Sequence, residues 1–151
     1  MSVTYLNYFI NRLPDDIIMY NIIPYTYKLQ NKNLLNNIIN YIETQTILFE
    51  YYHNVWIIYM EYPTETLEDK YWLINDLFLY MNDNKASMFG YVEKFYNIFK
   101  RNMYLQTNED VDRYVNKLQQ KQVITQINIC LGLLNITERQ EFMLQYVSNY
   151  I

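Results

Sequence analysis

Few residues of this 151-residue chain could carry chemistry near neutral pH, chiefly His53, its single histidine, and Cys130, its single cysteine. Glu50-Tyr51-Tyr52-His53 has the Glu-x-x-His spacing of di-metal carboxylate bundles, because residues three apart share a helix face. Those centres require the motif twice plus two further glutamates, and one histidine cannot complete them. The expectation is no metal and no cofactor, with His53 and Glu50 paired on a partly exposed helix face. Cys130 lies in the apolar run Ile127 to Leu134 and reads as a small core residue. Alone, it can form no intrachain disulfide, which suits a reducing compartment.

Other constellations are equally incomplete. Ser2, Ser87 and Ser148 lie in no strand-turn-helix elbow, and nothing local links Cys130 to His53. With Gly90 and Gly132 as the only glycines, no phosphate-cradling loop of the usual form can be built. The carboxylate pairs Asp15-Asp16, Glu68-Asp69 and Glu109-Asp110 fall in expected first helical turns, where they oppose the positive end of the helix dipole. No catalytic residue is expected. Lys94, Lys100 and Arg101 interleave with Phe95, Tyr96, Phe99 and Tyr104, a pattern a single-stranded nucleic-acid platform would use. Cations near a helix C-terminus beside an aromatic core stripe explain it better, and a net charge of -4 opposes phosphate binding. Asn135-Ile136-Thr137 is a glycosylation sequon by its letters, with Thr137 expected as a helix cap.

These residues must be positioned by helices. Val3 to Asn11 carries the stripe Tyr5, Leu6, Phe9 and Ile10; Leu13-Pro14-Asp15-Asp16 starts a second helix, which Pro24 stops. After a loop from Tyr25 to Asn33, Leu34, Leu35, Ile38, Ile39, Ile42, Phe49, Tyr52, Trp56 and Tyr59 keep helical spacing up to Tyr62-Pro63. That is the spine, with Leu35, Ile38, Ile42, Phe49, Tyr52 and Trp56 expected on one buried stripe. Capping boxes at Thr66 with Asp69, at Thr107 with Asp110 and at Thr137 with Gln140 open three more helices. The second of these runs through Val111, Tyr114, Val115 and Leu118 on to Ile127 and Leu131. Ser87 caps one carrying Met88, Val92, Phe95, Phe99 and Met103, and Asn82-Asp83-Asn84-Lys85 is a solvent-exposed connection. No alternating strand pattern or internal repeat competes. The fold class is all-α, a single-domain irregular bundle of about six or seven helices.

At this length a domain buries roughly 70% of the surface of its unfolded chain and needs no metal or disulfide staple. A composition 51% hydrophobic and 19% charged excludes disorder. The most apolar stretch, Val55 to Met60, is far short of the ~20 residues of a spanning helix, and no basic region precedes the first apolar residues. A soluble chain without signal peptide or membrane span is expected. Its 18 tyrosines against one alanine, Ala86, match the codon usage of an AT-rich genome, and supply the amphipathic groups that populate interfaces.

Leu13-Pro14-Asp15-Asp16-Ile17-Ile18, then Ile22-Ile23-Pro24-Tyr25-Thr26-Tyr27, Gln30 and Leu34-Leu35-Asn36-Asn37-Ile38 resemble the opening of short uncharacterised proteins of nucleocytoplasmic large DNA viruses. The same segment is loosely similar to an F-box, whose Leu-Pro-acidic start leads into small helices that dock on an adaptor. The resemblance covers about a quarter of the chain. It implies a non-enzymatic protein-protein interaction protein, most simply a virion structural component such as a minor capsid or scaffold subunit. The alternative is an F-box-like adaptor recruiting a ubiquitin ligase component. The first reading places the chain in the virion, and in host cytoplasm during assembly, with capsid or other virion proteins as partners and no nucleic acid. The protein-binding patch is expected at Ile17, Tyr20, Tyr25 and Tyr27, where Pro14 and Pro24 lower the ordering cost of binding.

Overall fold

The computed structural model describes residues 14–22, 31–59 and 67–147. The described residues form α-helices and short helical turns, and no strand occurs among them. By contacts the chain divides into two compact units, residues 1–35 and 36–151.

In the first unit, Pro14 stands at the N-cap of α1 (Asp15–Ile17), which runs on into a π-helical turn over Ile18–Ile22. Asp15 and Asp16 occupy its first turn, as the dipole favours. The expected helix over Val3 to Asn11, and Tyr25 and Tyr27, lie outside the described residues.

The spine is α2 (Lys32–Tyr59), whose first turn belongs to the first unit. The second unit continues with α3 (Glu68–Met81), α4 (Glu93–Phe99), α5 (Asn108–Leu118), α6 (Val123–Leu133) and α7 (Ile136–Tyr146). Its core is built on α3 and α6, the most extensively packed pair. Leu73, Leu77 and Met81 meet Ile127, Cys130 and Leu131 there, joined by Phe95 and Phe99 of α4, Val111 and Val115 of α5, and Phe142 of α7. Burial pushes the Cys130 thiol up to about 12, so it stays protonated in the core.

Local signals decide several boundaries. Thr107 Oγ1 accepts the Asp110 amide while the Asp110 carboxylate reaches back to the Thr107 amide, the expected box. Val111, Val115 and Leu118 follow on one buried stripe. The helix then breaks at Gln119 to Gln122, so Ile127 and Leu131 belong to a separate helix rather than to its continuation. Ser87 opens no long helix: Ser87–Phe89 is a single 3-10 turn ended by Gly90 at φ 87°, and Met103 lies exposed beyond α4. Leu67 stands at the N-cap of α3, without a side-chain cap; Thr66 lies outside the described residues. The last helix is capped two residues earlier than Thr137, by Asn135, whose Oδ1 accepts the Glu138 amide while Glu138 accepts the Asn135 amide.

The connection after α3 is not simply solvated. Asn82 is buried; its Nδ2 donates to the carbonyls of Lys85 and Gly90, and its Oδ1 accepts the Val92 amide. Asp83 and Asn84 take φ of 50° and 59°, a left-handed region that these two residue types tolerate better than most. In a glycine-poor chain they supply the helix stop that glycine usually supplies.

Candidate protein-binding site

Helix α2 does not bury the stripe its spacing suggests. Leu35, Ile38 and Ile42 are 44%, 43% and 54% exposed and Phe49 is half-buried, while Tyr52 and Trp56 are buried as expected. The inward line is Thr44, Leu48, Tyr52 and Trp56. At 100° per residue, Tyr41 and Asn37 lie within about 20° of Leu48, but Ile38 and Ile42 lie about 80° and 120° away. The N-terminal half of α2 thus turns polar residues inward and leaves Ile38, Ile39 and Ile42 exposed.

Beside this face runs a cleft of about 470 Å³, lined by Asn40, Glu43, Thr44 and Ile47 of α2 and by Gln140, Met143, Leu144 and Val147 at α7. Glu43 is the one charged residue in its lining.

The far wall, α7, is held by an electrostatic frame. Glu138, its capping carboxylate, receives both guanidinium amino groups of Arg101, which also donates to the Leu133 carbonyl. Partial burial would raise the Glu138 pKa, but the Arg101 and Asn135 hydrogen bonds outweigh it and the net shift is downward. Arg139, 2% exposed, donates from Nε to the Leu131 carbonyl and from Nη1 to Asn37 O, Asn37 Oδ1 and Asn40 Oδ1. One side chain therefore ties α7 to α6 and to the polar inward face of α2. Tyr41 places its ring 5.4 Å from the guanidinium carbon, a cation–π contact.

The residues singled out for chemistry fall elsewhere. His53 is exposed and faces Asp69 (Nδ1 to Oδ2, 3.6 Å) rather than pairing with Glu50. Asp69 in turn binds Lys70. Lys94 donates to the Tyr80 carbonyl, pairs with Asp83 and stacks over the Tyr80 ring, so it belongs to the bundle. Another cleft, of about 440 Å³, has Lys85 as its single charged lining residue. Among the described residues no group of three His, Cys, Asp or Glu could hold a metal ion, and no helix is long and apolar enough to cross a membrane. Ile17 and Tyr20 are exposed in the first unit, Tyr20 at 79%, while Tyr25 and Tyr27 lie outside the described residues.

The chain matches no family model, no curated protein and no solved structure. Its function must be argued from this geometry. The burial of Arg139 and of Asn82, which the sequence placed in an exposed connection, carries no local signal because their partners lie in other elements or across a turn. The scarcity of glycine could have drawn attention to Gly132, which lies inside α6.

Proposed function

We propose that this chain is a non-enzymatic interaction protein, with a partner protein docking along the exposed isoleucine face of α2 and the cleft beside α7. The observation that carries the reading is the inversion of α2: Ile38, Ile39 and Ile42 stand exposed where the same helix turns Asn37 and Tyr41 toward the bundle. Clustered exposed apolar side chains of this kind mark interaction surfaces. The stripe suits an amphipathic helix that anchors apolar side chains at helical spacing. A basic residue flanking those anchors would meet Glu43, the cleft's only lining charge. Ile17 and Tyr20, also exposed, remain a proposed contact in the first unit together with Tyr25 and Tyr27.

The setting we propose is the particle of a large DNA virus, with the chain as a minor capsid or scaffold subunit. The residue usage and the Leu13 to Ile38 resemblance support it. Cross-linking mass spectrometry on purified particles tests both levels. The expected result is stoichiometric recovery of the chain, with cross-links from Lys32, the first residue of α2, to one virion protein. Absence from particles would remove the virion setting, and cross-links confined to the opposite side of the bundle would remove the α2 surface.

A further inference from the structure

We infer that the shallow pocket between α2, α6 and α7 receives a carboxylate carried by the docked protein, with Arg139 as the group that recognises it. The inference deepens the interaction reading and rests on it. The pocket has a volume of about 290 Å³ and is lined by Asn37, Ile38 and Tyr41 of α2, Asn128 and Gly132 of α6, and Arg139 of α7.

Arg139 is almost wholly buried, yet every oxygen it binds belongs to a carbonyl or a carboxamide, and no carboxylate among the described residues lies within ion-pair distance. A buried cation without an ion-paired carboxylate is costly, and the more exposed Arg101 and Arg113 each hold one, Glu138 and Asp110. The hydrogen bonds among the described residues use Nε and Nη1; Nη2 is used by none of them. Asn37 and Asn128 have their carboxamide oxygens committed to Arg139 and Gln45, which leaves NH2 donors in the lining for an anion.

Gly132 also lines this pocket. Gly90, the other glycine, is explained by its positive φ; Gly132 lies within α6, where glycine is less favourable than alanine by about 0.8–1.0 kcal/mol. A Cβ at Gly132 would meet no atom within 4 Å, so packing inside this chain does not require its absence. What the missing side chain leaves open is the lip of the Arg139 pocket.

The charge also selects the ligand class. Arg139 is the only cationic residue in the lining, which matches a carboxylate monoanion better than a phosphate near its second ionisation. Ile38 belongs both to this lining and to the exposed stripe of α2, so a protein covering that stripe would bring its carboxylate to the pocket.

The test is an NMR titration of the full chain, following the Arg139 Nε–H and Gly132 amide signals at constant ionic strength. Sodium acetate is expected to shift both saturably, with inorganic phosphate at least about tenfold weaker. Two further probes distinguish the source of the group: N-acetylalanine offers a chain-terminal carboxylate, N-acetylaspartate N-methylamide a side-chain one. Tighter binding of either supports the pocket and assigns that source. Gly132→Leu should keep the fold, since leucine is the better helix former, and weaken acetate by at least about tenfold. The assignment is overturned if no carboxylate shifts these signals, if phosphate binds as well, or if folded Gly132→Leu binds acetate unchanged. Because the titration needs no partner, its failure leaves the α2 docking surface standing, and failure of cross-linking at α2 leaves the titration interpretable.

Discussion

The two halves of α2 obey opposite rules. From Leu48 to Trp56 the helix is apolar inward, as an amphipathic helix on a bundle should be. From Asn37 to Ile42 it is polar inward, where Asn37 and Asn40 hold Arg139, and apolar outward. Equal hydrophobicity along one helix therefore does two different jobs, and only what packs against each half distinguishes them. Leu48, Tyr52 and Trp56 in the C-terminal half are stabilised by contacts within this chain, whereas Ile38, Ile39 and Ile42 in the N-terminal half are left uncovered by it.

The largest expected effects test the inward half. Leu48→Ala or Trp56→Ala should lower the unfolding free energy by about 2–5 kcal/mol, measured by denaturant titration with circular dichroism. A loss under about 1 kcal/mol would mean that α2 does not rest on the bundle there.

A smaller effect is expected at Tyr52, whose hydroxyl donates to Asp76 across α2 and α3. Tyr52→Phe should cost about 1–2 kcal/mol at neutral pH, the scale of a hydrogen bond to a charged group. Burial raises the Asp76 pKa, and the Tyr52 hydrogen bond partly offsets that. A carboxyl raised in the folded state contributes stability that is fully present below its unfolded pKa and is lost as pH rises through the folded value. Tyr52→Phe removes the offset, so the variant's deficit should grow from acidic to neutral pH. A deficit independent of pH would show that Tyr52 contributes packing alone.

Gly132→Ala should add up to about 1 kcal/mol of stability, read as a rise in Tm, because φ is ordinary there and the methyl group meets nothing. The smallest effect on folding is expected in the outward half. Combined Ile38→Ser and Ile42→Ser substitutions should change stability by no more than about 1 kcal/mol in total, while weakening assembly with the partner by at least about 2 kcal/mol in a binding titration. A large loss of stability from this pair would erase the contrast between the two halves.

The fold was legible where signals are local. Thr107 with Asp110, and the stripe Val111, Val115 and Leu118, need nothing beyond their own helix to be read. The start of α7 was ambiguous because Asn135 with Glu138 and Thr137 with Gln140 both satisfy the capping spacing. The earlier start lets Glu138 cap the helix and bind Arg101 together, an interaction across 37 positions that no local pattern reveals. Spacing likewise groups Ile38 and Ile42 on a side of α2 without saying whether anything covers them. Arg139 looked like one more polar residue in a first helical turn; its burial depends on Asn37, about a hundred residues earlier.

The contact between α2 and α3 has a spectroscopic consequence. Trp56 and Trp72, the chain's two tryptophans, meet edge to face with ring centroids 4.9 Å apart. All indole emission therefore originates at a single helix-helix seam, on the apolar-inward half of α2 and several turns from Ile38, Ile39 and Ile42. Fluorescence should red-shift when α2 lifts from α3 and stay nearly constant when a partner occupies the other end. The protein thus carries a built-in optical probe that separates loss of its own packing from engagement by something else.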